Sequence, residues 1–303
     1  MSINSPTFYA QQFATDVELL SQQLESKLQR AIRVGANHYG EQASPVDQVG
    51  LVEATENTER FAPMPRTDAP LDRRWILPRN WDLNQLKDKN DLIRQITDDK
   101  QELARAAVAA LNRRKDRTII DGLLNANMTG KSGTVSTPFG SGQTVSVNVG
   151  GAASGMNVAK LRAGLQILMA NDVDVMGEEL YCVVNAKAHA QLLAEIQITS
   201  KDFNQLRDGT PVLRDGMIDR FLGFNFIHCE RLTEFDGTDD AAGTSTPVLM
   251  FAKSGGYIGL WKDINVRIDE RTDLRAIPWQ LYASATFGAS RLEEKKVVKA
   301  WAR

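Results

Sequence analysis

Residues 98–124, DDKQELARAAVAALNRRKDRTIIDGLL, constrain this chain more than any other stretch. Ala and Leu dominate the middle, carboxylates come early and arginines late, so helix propensity and the macrodipole both favour one long helix. Asp98 with Gln101, and Asp99 with Glu102, are spaced as capping pairs and mark its start. At 1.5 Å per residue the helix spans about 40 Å, long for a globular domain. A rod of that length is a beam rather than a wall of a pocket, and the rest of the chain has to supply what it supports.

Upstream, Phe13, Val17, Leu20, Leu24, Leu28 and Ile32 recur at spacings of three and four, which predicts an amphipathic helix over residues 8–34 stopped by Gly35. Its apolar stripe has to pack on something, either its own chain or a neighbouring subunit. The polar run 36–45 reads as a hinge. Within residues 49–81, VGLVEATENTERF and RRWILPRNW read as the strands of a long hairpin. APMPRTDAPLD between them, with Pro63, Pro65 and Pro70, reads as a stiff tip. The hairpin has too few apolar residues to belong to the core. Its Glu53, Glu56, Glu59, Arg60, Arg66, Arg73 and Arg74 suit pairing with another chain's surface, or plain solvation. A short turn over 88–96 leads into the beam.

Downstream, the run 130–155 is rich in Gly, Ser, Thr and Val, with Val135, Val145, Val147 and Val149 in partial alternation, and reads as an exposed ribbon or linker. A helix follows over 157–169, capped by Asn157, with Val158, Leu161, Leu165, Leu168 and Met169 facing inward. A strand at 180–184, a helix at 186–196 and strands at 221–228 and 248–252 then alternate as in an α/β layer. Apolar and polar residues alternate again at 264–269 and in parts of 280–287, and 297–301 is a last short apolar run. Long strands after the α/β layer give the beam a sheet to lie on, so one lobe is built from sequence on both sides of the other.

Chemistry is hard to find. With 42% hydrophobic residues the chain buries a sizeable core, and a formal charge of -2 argues against a dedicated nucleic-acid binder. Cys182 and Cys229 lie in apolar runs, as buried thiols of a reducing compartment do. No apolar run is long enough to cross a bilayer, and the N-terminus lacks the features of a signal peptide, which points to the cytoplasm or something assembled there. Gly130, Lys131 and Ser132 imitate a phosphate loop, but Asn125 stands where its first glycine belongs. His38, His189 and His228 lack metal-pair spacing; His189 reads as helix surface and His228 as a strand residue beside Cys229, without a motif for a nucleophile pair. Asp236, Asp239 and Asp240 read as a solvated turn. Arg113, Arg114, Lys115 and Arg117 fall on the last turns of the beam, where they complement its dipole, contact another subunit or meet a phosphate backbone. No catalytic, cofactor or metal site is expected.

The order of arm, hairpin, long helix, α/β lobe and terminal strands resembles the major capsid proteins of tailed bacteriophages, with the Hong Kong 97-type fold. AAVAALNRRKDRTIIDGLL is similar to the family's spine helix, YCVVNAKAHAQLL with DGMIDRFLGFNF to its axial domain, and SGGYIGLWKDINVRIDERTDL with GASRLEEKKVVKAWA to its peripheral domain. The resemblance implies an α+β fold with an N-terminal arm at 1–46, an extended loop at 47–82 and an axial domain at 156–244. The peripheral domain takes 83–155 and 245–303, with the spine helix at 98–124. It implies a non-enzymatic subunit that assembles in the host cytoplasm, as hexamers and pentamers, into the icosahedral shell of a virion. Packaged double-stranded DNA, held non-specifically, is one partner, with a portal and a decoration or cement protein as others.

Only a short arm precedes the loop, which favours a separate scaffolding protein. No lysine occurs between Val49 and Trp81, which favours a non-covalent shell. Arg60, Arg66, Arg73, Arg74, Trp75, Arg113 and Arg114 are the expected intersubunit contacts, and removal of residues 1–35 is expected to leave folded subunits that fail to assemble. Two other functions compete: an encapsulin-like compartment, distinguished by protein cargo, and an α/β enzyme, which lacks the glycine-rich turn or carboxylate pair it would need.

Overall fold

The computed structural model describes residues 19–35, 38, 44–56, 66–88, 100–195, 198, 213–214, 216–238, 244–275 and 277–303. The first half of the expected N-terminal helix, Pro63 and Pro65 of the hairpin tip, the 89–96 turn, the Asp98 and Asp99 caps, and Asp239 and Asp240 lie outside them.

The long helix forms as Lys100–Leu124. Of its residues only Gln101, Arg105 and Arg117 are exposed, and the rest are buried or half-buried. The basic run lies about two to three turns before its end and the last turn holds no basic residue, so the expected dipole role of Arg113, Arg114, Lys115 and Arg117 is corrected. The cation at that end comes from elsewhere: Arg291 Nη1 donates to Leu123 O at 2.5 Å and Asn125 O at 3.2 Å.

The described chain forms two compact units, and the helix and the two longest strands contribute residues to both. One unit takes residues 19–25, Asn80–Arg113 and Lys262–Thr286. Its sheet residues come from the strands Gly256–Glu270, Trp279–Arg291 and Arg79–Lys87. Ile264, Val266 and Ile268 are half-buried while Asn265, Arg267 and Asp269 are exposed, the period-two pattern expected there. Gln280 Nε2 donates to Asn84 Oδ1 at 2.8 Å, and Lys100 Nζ stands 4.5 Å over the Trp279 ring.

The other unit takes Ser26–Arg79, Arg114–Trp261 and Phe287–Arg303. Its main sheet has the order Arg220–Phe221, Phe224–His228, Leu180–Val184, Thr244–Ala252, Val297–Ala302, Thr144–Val145, with Gly237–Thr238 also on Thr244–Ala252. Phe224–His228 runs parallel to Leu180–Val184, and Thr244–Ala252 is antiparallel to both Leu180–Val184 and Val297–Ala302. The helices Val158–Ala170 and Ala186–Leu193 bury their apolar sides in the same core, capped by the side chains of Asn157 and Asn185. A helix-side Cβ at residue 164 would lie 2.3 Å from Met250 Cε, so Gly164 lets the first of them approach the sheet.

Four expectations change. The 130–155 run is not an exposed ribbon: Val145 and Val147 are buried, and Thr144–Val145 pairs in parallel with Lys299–Ala300. Met169 is exposed, and His189 is buried. The described part of residues 8–34 is not an α-helix. It contains one three-ten turn, Gln29–Ala31, and the strand Arg33–Gly35, parallel to Tyr257–Gly259. Leu28 and Ile32 are buried all the same, while Leu20 is 87% exposed. The fully buried Asp116 holds this segment, accepting from Ser26 Oγ at 2.5 Å, Lys27 N at 3.0 Å and Leu28 N at 3.2 Å.

Candidate functional site

The hairpin forms, with its strands earlier than expected: Ser44–Val49 pairs antiparallel with Leu71–Ile76. Asn127–Thr129 and Val135–Thr137 extend it into a four-stranded sheet. Period two divides the hairpin's functional groups between two faces.

One face is the root. Arg74 and Ile76 are buried. Arg74 Nη1 donates to Glu294 Oε1 at 3.1 Å, Gln48 Nε2 donates to Leu292 O at 2.7 Å, and Glu294 Oε2 accepts from Arg291 Nε at 2.5 Å. Arg291 is 0% exposed, and its guanidinium lies 4.8 Å over the Phe139 ring. Burial lowers its pKa, against the pull of Glu294. One buried cation therefore ties the hairpin root to the end of the long helix.

The other face is solvated. Asp47 stands opposite Arg73 and forms an ion pair with it, which lowers the Asp47 pKa and raises that of Arg73. The Arg73 guanidinium lies 5.8 Å from the Trp75 ring, and Trp75 Nε1 donates to Gly130 O at 2.7 Å. Toward the tip, the opposed pair Val49 and Leu71 is 72% and 78% exposed, and Leu51 is 82% exposed. The root is thus held by polar contacts, while Val49, Leu51 and Leu71 leave apolar area exposed above it.

Of the other expected contact residues, Arg66 pairs with Asp68 at 3.0 Å, Arg113 donates to Gln22 Oε1 at 2.7 Å, and Arg114 is half-buried. Arg60 lies outside the described residues. Arg291 and Asp116 were not singled out from sequence. The only signal for Arg291 is a charge in a largely apolar strand; Asp116 is hidden inside a basic run.

The groups with potential chemistry are occupied structurally. Burial pushes the Cys229 thiol up to about 11 and the Cys182 thiol higher still, so neither is a nucleophile near neutral pH. His228 Nε2 lies 2.7 Å from Glu230 Oε1, which also accepts from Ala186 N at 2.6 Å. His189 Nε2 accepts from Ile218 N at 3.3 Å, beside a cavity of about 270 Å³. Among the described residues no group of His, Cys, Asp and Glu could hold a metal ion, and no helix is long and apolar enough to cross a membrane.

No curated protein matches the sequence. Solved structures do match the fold. The cyanophage Pam1 capsid asymmetric unit aligns with TM-score 0.76 at 9% identity, covering 98% of this chain and 96% of that one. The capsid of cyanophage P-SCSP1u gives 0.73 at 13% identity, covering 98% and 94%. The acid-stable capsid of Helicobacter pylori bacteriophage KHP30 gives 0.71 at 10% identity, covering 100% and 98%. The architecture is the Hong Kong 97-type capsid fold. A family model described as phage capsid protein matches residues 5–301, nearly the whole chain. The shell-protein fold and this end-to-end match agree: the chain belongs to the phage capsid protein family, whose members build shells and are not enzymes.

Proposed function

We propose that this chain is the major capsid protein of a tailed phage, assembling as hexamers and pentamers into the icosahedral shell around double-stranded DNA. The family match over residues 5–301 carries this reading. Assembly takes place in the host cytoplasm, and a separate scaffolding protein, a portal and a decoration or cement protein are its partners. The parts are an arm at 1–46, an extended loop at 47–82, a peripheral domain at 83–155 and 245–303, and an axial domain at 156–244.

Contact between subunits is made by the hairpin's solvated face. Arg66, Arg73 and Trp75 supply polar and aromatic contacts, and Val49, Leu51 and Leu71 supply apolar area. Arg74 supports that face from the root, because its donors are engaged by Gln48 and Glu294. Electron microscopy of the purified chain tests the function: closed shells support it, and small oligomers under all conditions refute it. In the Leu71→Asp variant, subunits should keep the wild-type circular dichroism and fail to close shells, since a charge at that position would be desolvated in the interface.

A further inference from the structure

Three segments converge on one patch of the second unit. Arg79 opens the strand Arg79–Lys87, Arg114 and Arg117 lie on the long helix, and Arg231 lies on the three-ten helix Glu230–Phe235. Two carboxylates stand among them. Glu234 is shared, with Oε2 2.7 Å from Arg117 Nη1 and Oε1 2.8 Å from Arg231 Nη1; Asp121 Oδ2 is 3.0 Å from Arg79 Nη1. Arg114 lies in the field of four of them: burial, then Arg117 and Arg79, lower its pKa, against Asp121 and Glu234.

Four cations less two anions leave an excess of two positive charges, on a chain whose formal charge is -2. The patch is accessible: the side chains of Arg79, Arg117 and Arg231 are 56%, 46% and 38% exposed. Each of these pairs engages one nitrogen of a fork that carries five N–H donors. Forks spread over three segments fit a ligand with a repeating array of anionic oxygens better than a single small anion.

We propose that the Arg79, Arg114, Arg117 and Arg231 cluster docks the phosphate backbone of duplex DNA. This deepens the capsid reading and rests on it. The internal carboxylates keep each contact weak, so the genome stays free to slide while many subunits together screen its charge.

The test is binding of the full-length chain to a fluorescent DNA duplex, followed by anisotropy between 50 and 200 mM salt. Each phosphate contact contributes a slope of about −0.9 in log K against log salt. The double variant Arg117→Gln with Arg231→Gln should flatten the slope by about 1.8, so wild type loses about 12-fold more affinity than the variant over that range. Arg220→Gln, exposed on the edge strand Arg220–Phe221, should leave the slope unchanged. Should the double variant melt lower than wild type, Arg79→Gln alone, expected to flatten the slope by about 0.9, replaces it. An unchanged slope in a folded variant overturns the proposal. So does a variant that loses shell formation with its slope intact, which would make a carboxylate surface of a second copy the occupant. Wild-type chain that forms no shells sinks the capsid reading; shells with an unchanged slope sink only the patch.

Discussion

Arg291→Met tests the buried node most directly, because methionine keeps much of the side chain's volume and removes its charge. The substitution strands Leu123 O and Asn125 O at the end of the long helix and deprives Glu294 of a donor at 2.5 Å, leaving it Arg74 at 3.1 Å. Removing one partner of a buried ion pair costs about 3–5 kcal/mol. The entropy of unfolding, about 2.1 cal/mol/K per residue, gives roughly 0.6 kcal/mol/K for 303 residues. The melting temperature should therefore fall by about 5–8 °C, read by calorimetry or tryptophan fluorescence on the unassembled chain. Arg291→Lys should fall between wild type and Met, since an ammonium retains the charge but cannot serve the carbonyls and Glu294 in one plane. Adding Glu294→Gln to the Met variant should cost less than the sum of the two single changes, because no carboxylate is then left stranded. A Met variant melting within about 1 °C of wild type would refute the assignment of Arg291 as the buried tie.

Gly122→Ala should destabilise by about 1–3 kcal/mol although alanine is the better helix former, because its Cβ would stand 2.6 Å from the Ala289 carbonyl; an unchanged urea midpoint would contradict that. His189 has its pKa lowered by burial and by neighbouring His228, so the folded state binds protons less readily than the unfolded one. Its contribution to stability is complete above the unfolded value near 6.5 and is lost as pH falls through the lower folded value, with Asp219 and His228 on the same cavity and Glu230 bonded to His228. His189→Gln should flatten the acid limb of a urea-midpoint profile, and an identical limb would exclude the histidine. Deleting residues 1–35 should abolish folding, contrary to the expectation from sequence: it removes buried Leu28 and Ile32, at about 1.5–3 kcal/mol each, and takes from buried Asp116 the donors of Ser26, Lys27 and Leu28. Soluble, folded subunits from that deletion would refute this. Denaturing gels of assembled shells should show single subunits, and ladders of linked subunits would disprove a non-covalent shell.

What was legible in the sequence was local. Asn157 and the apolar spacing after it mark Val158–Ala170 to within a residue, and the unbroken apolar run at Leu180–Val184 marks a central strand. The long helix needed only its composition. What was hidden depends on partners far along the chain. Val145 and Val147 look like ribbon residues until Lys299–Ala300 pairs beside them. The spacing of Leu28 and Ile32 fits a helix, yet the same residues are buried in a mostly extended segment once Asp116 satisfies its backbone N–H groups. For the proposed assembly surface, the arginines and the hairpin could be read directly. The division into a buried face and a solvated face required the register that sets Asp47 against Arg73, and a strand boundary misplaced by a few residues conceals it.

The strand Val297–Ala302 lies inside its sheet, between Thr244–Ala252 and Thr144–Val145. A ribosome adding about 5–20 residues per second takes roughly 8–30 s to pass from Val145 to Val297. Throughout that time the two flanking strands have no neighbour between them, and the core they border cannot close. The subunit's transition to a folded state is thus timed by translation itself: nascent chains tethered side by side on one message stay open at the sheet's centre until Val297–Ala302 has been made, and none has a closed core to offer its neighbours before then.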